Sequence, residues 1–158
     1  MHQKERTTSP EFKSIETARV LEANRFALTN NIQVYSIESG TEEIVKIDLL
    51  FRAGNWFQPK PLLATASNEM LPEGSNQFSS EAIASKMDYY GALLKTNANK
   101  DVAVISLLTL KKYLNETLAI LSDILINPTF PQEEFETYMK QKKQEFLLER
   151  SKVNALSK

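Results

Sequence analysis

Cysteine is absent from this 158-residue chain, and histidine occurs once, as His2. Zinc normally takes imidazole nitrogen or thiolate sulfur, with carboxylate as the minority partner, so the usual zinc sites are excluded by composition. Any metal would fall to carboxylate oxygens, which suit magnesium, manganese or calcium better. Long apolar runs are also missing: no window approaches the ~18 consecutive apolar residues that span a bilayer as a helix. The start, Met1-His2-Gln3-Lys4-Glu5-Arg6, is not followed by the apolar core of a secretory signal. Nor is there an excess of one charge, since 19 basic and 20 acidic side chains leave a net charge of −1. Nucleic-acid binding proteins usually carry a clustered basic excess, so no nucleic-acid partner and no membrane partner are expected. A signal peptide already removed would leave no trace in these residues. What is visible, with no cysteine to oxidise, favours the cytoplasm.

What is present has the makeup of one folded domain. Apolar residues make up 42% and charged residues 25% of the chain. Residues 1–22 are polar, lack a sustained period and contain Thr7-Thr8-Ser9-Pro10, and are read as a flexible arm. Residues 23–158 are read as a single, partial domain. Lys140, Lys142 and Lys143 form the one dense basic cluster. Glu133, Glu134 and Glu136 precede them on the same helical stretch, the arrangement of a solvated face that suits the helix dipole.

Along the domain, Phe26-Ala27-Leu28 and Ile32-Gln33-Val34-Tyr35 flank Thr29-Asn30-Asn31, and asparagine tolerates the positive φ of a tight turn, so a hairpin is predicted. From Ile44 to Arg52, Val45, Ile47, Leu49 and Phe51 alternate with Lys46, Asp48, Leu50 and Arg52, the period of a strand with one buried face. A short helix follows from Pro61, with proline tolerated in its first turn, and Pro72 ends it. Leu71-Pro72-Glu73-Gly74 fits a type I turn. Ser79-Ser80-Glu81 offers a hydroxyl cap and an acidic first turn to a second helix, with Ile83, Met87 and Tyr90 on one face and Gly91 as its stop. Val102 to Leu108, apolar on both alternating faces and rich in β-branched residues, is predicted as a central strand with Leu94 to Asn97 as its hairpin partner.

Helical spacing returns from Lys111 to Ile126, where Leu114, Leu118, Leu121 and Leu125 predict the buried stripe. Asn127-Pro128-Thr129-Phe130-Pro131 breaks that helix, and Pro131 starts another through Phe135, Tyr138, Met139, Lys142, Phe146 and Val153. Its apolar face continues to Ala155-Leu156. An uncovered apolar stripe is unfavourable for a monomer, so a covering partner is expected, either more of the same polypeptide or another subunit.

Three segments in this order carry a more specific message: Met70-Leu71-Pro72-Glu73-Gly74-Ser75, Met87-Asp88-Tyr89-Tyr90-Gly91-Ala92, and Asn127-Pro128-Thr129-Phe130-Pro131 followed by Glu133-Glu134-Phe135. With the strands and helices between them, the chain from about Phe26 to Ser157 resembles the pitrilysin or insulinase family of zinc metallopeptidases, which includes mitochondrial processing peptidase. The resemblance implies an α+β fold, a mostly antiparallel sheet of four to five strands packed on helices. Active members carry an inverted His-x-x-Glu-His motif on the first helix. Two histidines four apart share a helix face and grip one zinc, while the glutamate activates the bound water.

Laid on this chain, the family pattern puts the first histidine at Thr65, the catalytic glutamate at Asn68 and the second histidine at Glu69. A third ligand, a glutamate on the later charged helix, matches Glu145. An amide cannot serve as a base near neutral pH, so the base is lost along with the zinc ligands. The resemblance therefore implies a degenerate, non-catalytic lobe or subunit with no cofactor. Its expected partners are an active zinc-motif peptidase subunit or lobe, in a hetero-oligomer, and unfolded or extended peptides. The alternative is an interaction or scaffold module with no role in proteolysis, since fold does not fix function. A weaker alternative is an oxygen-ligand metal site built on Glu69 and Glu145.

Overall fold

The structure, a computed structural model, describes residues 21–151. All but the last two residues of the expected arm lie outside them, as do Val153, Ala155 and Leu156. The described residues fall into two compact units that divide after Thr41.

The first unit carries the predicted hairpin. Strand β1 (Asn24–Ala27) pairs antiparallel with β2 (Gln33–Ser36), Phe26 opposite Val34. Asn31 holds φ 64° in the turn, and Leu28 N–H donates to Ile32 O at 2.9 Å. Asparagine is among the few residues that take this left-handed conformation at low cost.

In the second unit, β3 (Ile44–Phe51), β4 (Leu93–Ala98) and β5 (Ala103–Leu110) form an antiparallel sheet in the order β3-β5-β4. The alternation of β3 is observed: Val45, Ile47 and Leu49 are half-buried between exposed neighbours. Phe51 departs from the prediction: as the last residue of the strand it is exposed, and it lines a cavity. Strand β5 is central as expected, though only Ala103, Ile105, Leu107 and Thr109 are buried, all on one face. The β4–β5 turn is closed by the Asn99 carboxamide, which accepts from the N–H groups of Asp101 and Val102, both at 2.9 Å.

Among the described residues, four helices accompany this sheet: α1 (Leu63–Glu69), α2 (Ser80–Tyr89), α3 (Leu114–Ile126) and α4 (Gln132–Ser151). Helix α1 starts later than Pro61 predicts, because Leu62 sits at φ 68°, a left-handed conformation that cannot belong to a right-handed helix. It ends in a 3-10 turn over Leu71–Glu73 rather than an isolated type I turn. The cap of α2 is as predicted, Ser79 accepting from Ala82 N–H at 3.3 Å, and Gly91 stops it at φ 60°.

The core is built from Ile83 and Met87 of α2, Ile105 and Leu107 of β5, and Ile120, Leu121 and Ile124 of α3. The predicted leucine stripe on α3 is thus displaced by about one position. Thr117, Ile120, Leu121 and Ile124 face inward, while Leu118 and Leu125 only flank the core and Leu114 is half-buried outside it. A 3-10 turn over Lys111–Tyr113 precedes the helix, and buried Thr117 satisfies its hydroxyl on Tyr113 O at 2.9 Å. A threonine bonded back to the preceding turn can occupy a core position that a leucine count assigns elsewhere.

Two of the sequence landmarks meet in space. Ser75 bridges Pro128, Asn76 N–H donates to Asn127 O at 3.0 Å, and Thr129 N–H donates to Gly74 O at 3.1 Å. A Cβ on Gly74 would stand 2.7 Å from Thr129 Oγ1 and 2.9 Å from Pro131 Cγ, so the close approach needs glycine. This junction fixes the start of α4 beside the end of α1.

Candidate functional site

Helix α1 presents its residues in two directions. Ala66 and Asn68 are buried, whereas Thr65 and Glu69, one turn apart, share the other face. This is the spacing that the two histidine positions of the family motif require, but the two side chains engage different partners. The Thr65 hydroxyl reaches Asn55 Oδ1 at 3.5 Å, the outer limit of a hydrogen bond.

Asn68 is 4% exposed and its Nδ2 donates to Val104 O at 3.3 Å. The side chain ties α1 to the central strand. A buried amide satisfied in this way costs little, while a buried carboxylate in its place would face a carbonyl oxygen with no proton to share.

Glu69 meets α4. Lys142 Nζ lies 3.1 Å from Glu69 Oε2 and 3.2 Å from Glu145 Oε2, so one ammonium bridges the two carboxylates. Glu69 and Lys142 are each 31% exposed and Glu145 is more open. The same ammonium stands over the Tyr138 ring, 5.5 Å from its centre. Tyr138, Lys142 and Glu145 follow the i, i+4, i+7 spacing of one helix face, and that face is turned to α1.

The titrations reflect this packing. The hydrogen bond to Glu69 raises the Lys142 ammonium above the ordinary lysine value, against the desolvation that opposes it, and the bond to Glu145 adds to the rise. Burial, and next the Glu69 charge, push the Tyr138 phenol up to about 12.

Of the residues expected at the site, Glu69 and Glu145 are therefore brought together, through a third residue. Thr65 and Asn68 point to other partners. Lys142 corrects the expectation of a solvated lysine face: it is half-buried and paired, because the α1–α4 junction puts an acidic side chain opposite it. Sequence reasoning missed Lys142 and Tyr138 as members of the site. Their spacing with Glu145 was the available signal, but only α1 beside α4 gives it meaning. Among the described residues, no group of three histidine, cysteine or acidic side chains is placed to hold a metal ion.

On its inner side, α1 borders an open cavity of about 500 Å³. Phe51, Phe57, Leu63, Leu71, Ile105 and Phe130 supply its apolar wall, and Gln58, Ser67 and Asn68 supply polar groups. A cleft of this size, apolar with a few polar groups on its wall, lies in the range of ligand-binding pockets. A second hollow, bounded by Leu62 and by Met139, Lys142 and Phe146 of α4, lies where α4 passes the start of α1. No described helix is long and apolar enough to cross a membrane.

Comparison with known proteins agrees with this architecture. The family model described as insulinase, peptidase family M16, matches residues 33–156. Among solved structures, the inactive domain of a peptidase M16 from Pseudomonas fluorescens superposes with a TM-score of 0.81 at 25% identity, covering 86% of this chain and 34% of that one. A protease from Helicobacter pylori superposes with a TM-score of 0.70 at 15% identity, over 80% of this chain and 31% of that one, and supports the fold alone. The chain thus spans about a third of the length of either structure. No curated protein matches it.

Proposed function

The chain belongs to the insulinase family, peptidase family M16, and from that premise we propose that it acts as a non-catalytic lobe or subunit that holds extended peptide beside an active, zinc-bearing partner. One observation carries the reading. Where the family resemblance puts the catalytic glutamate, this chain has Asn68, a buried amide already bonded to Val104 O at 3.3 Å. An amide there cannot take a proton from water, and it is turned to the sheet. The structural relative that is itself the inactive domain of an M16 peptidase supports the same reading.

The cavity beside Asn68 gives the lobe a means to hold substrate. Its apolar wall accepts one side chain of an extended peptide, and Ser67, exposed on its rim, marks the entrance. Filling the entrance by Ser67→Trp should weaken binding of an unstructured peptide about tenfold, a loss of roughly 1.4 kcal/mol. The experiment for the whole reading mixes the chain with a homologue from the same genome that bears the intact zinc motif. The mixture should cleave unstructured peptides faster than the homologue alone. No association and no gain in cleavage would favour the scaffold reading.

A further inference from the structure

The zinc implied by the family resemblance would sit between the outer face of α1 and helix α4. The residues present there do not fit it. Thr65 offers a neutral hydroxyl, and Glu69 and Glu145 are both engaged by Lys142, at 3.1 and 3.2 Å. We propose that the Lys142 ammonium is the resident cation of this site, holding Glu69 of α1 and Glu145 of α4 as a metal would, and that it keeps divalent cations out.

The geometry supports this substitution on three grounds. First, the bridge joins the two elements that a shared metal would join, since Glu69 ends α1 and Lys142 and Glu145 lie one turn apart on α4. Second, the ammonium is built in: the Tyr138 ring lies under it at 5.5 Å, and its stem is half-buried, so the charge is held in one place. Third, a divalent ion bound to these carboxylates at zinc–oxygen distances of about 2.0–2.2 Å would stand close to a fixed positive charge. Repulsion at such range in a partly desolvated site is large enough to abolish weak oxygen-ligand binding. Helix α4 has no fully buried residue, so this charge bridge supplements a packing interface that is shallow.

The proposal uses the family membership to choose zinc as the probe and stands apart from the peptide-holding role. The experiment reads cation binding and no cleavage. Zn²⁺ alone is titrated into the full chain, its Glu69→Gln variant, Lys142→Ala, and the double variant Lys142→Ala/Glu69→Gln, with binding followed by equilibrium dialysis and by the shift in Tm. The wild-type chain should show no Zn²⁺ binding that depends on Glu69. Lys142→Ala should bind one equivalent about tenfold or more tighter than wild type, the repulsion having been removed. The double variant should lose that gain. Alanine is a good helix former and Lys142 is partly exposed, so the fold should persist. The comparison of wild type with Glu69→Gln tests the claim without any change at position 142. Stoichiometric, Glu69-dependent Zn²⁺ binding by the wild-type chain overturns the proposal, as does a Lys142→Ala chain that binds Zn²⁺ no better than wild type.

Discussion

Asn68 and Glu69 are adjacent in sequence and face opposite environments, one tied to the sheet and the other to α4. Each has a separate consequence for the fold. Asn68 gives α1 a neutral anchor on Val104, whereas Glu69 needs a positive partner and finds it in Lys142. The alkaline limit of the fold should report this second contact. The phenol of Tyr138 is raised to about 12 and the Lys142 ammonium is raised as well. A raised folded-state value contributes stability in full below the unfolded value, near 10 for tyrosine, and loses it as pH climbs through the folded value. The difference in Tm between wild type and Tyr138→Phe should accordingly fall between pH 10 and about 12. A difference independent of pH would contradict the assigned environment. A second residue-scale test lies at Gly54, where an added Cβ would stand 2.5 Å from the backbone of Lys100 and Asp101. Backbone cannot yield as a side-chain tip can, so Gly54→Ala should cost about 1–3 kcal/mol in a denaturant melt.

At the scale of elements, the junction of α1, the Gly74-Ser75 turn, the Asn127-Pro128 turn and α4 sets the site. Its keystone is Asp123, buried on α3, which accepts from Gln77 N–H at 3.2 Å, Gln77 Nε2 at 3.3 Å and Asn127 Nδ2 at 3.0 Å. The Ser75 hydroxyl, then Asn127, lowers its carboxyl below the ordinary value of 3.8. A lowered value means stability that is present above the unfolded pKa and lost as pH falls below it. Asp123→Ala should open a Tm gap below wild type at neutral pH, because it removes a charged acceptor and leaves the Gln77 and Asn127 donors unpaired. Thermal melts should show the gap closing toward acid pH, and a gap that stays constant would argue against the ionised clamp. Sequence reading recovered the hairpins, the central strand and the Ser79 cap, because each is dictated by local chemistry. It missed Asp123 and shifted the α3 stripe, because a buried aspartate and a buried threonine announce themselves only through partners that are distant in sequence or hidden in the preceding turn. Likewise Glu69 and Glu145 were legible as motif positions, while Lys142 between them was not: a lysine in a charged run looks solvated until α1 is beside it.

For the whole molecule, an insulinase-family fold is present, with an apolar-walled cavity on one side of α1 and the Glu69–Lys142–Glu145 bridge on the other. On helix α4, Phe135, Met139 and Phe146 of the face predicted from the sequence are exposed, while Tyr138 and Lys142 of the same face are half-buried. The fold and the family were legible because landmark segments fix tight turns at fixed spacing. Substrate and partner were not, since the chain spans about a third of the related structures. The most direct measurement of the central claim is hydrolysis of an unstructured peptide by the isolated chain, with saturating zinc and again with a chelator. The rate should equal that of buffer in both conditions and stay unchanged in Glu69→Gln. Zinc-dependent turnover that disappears with the chelator and with Glu69→Gln would contradict the account.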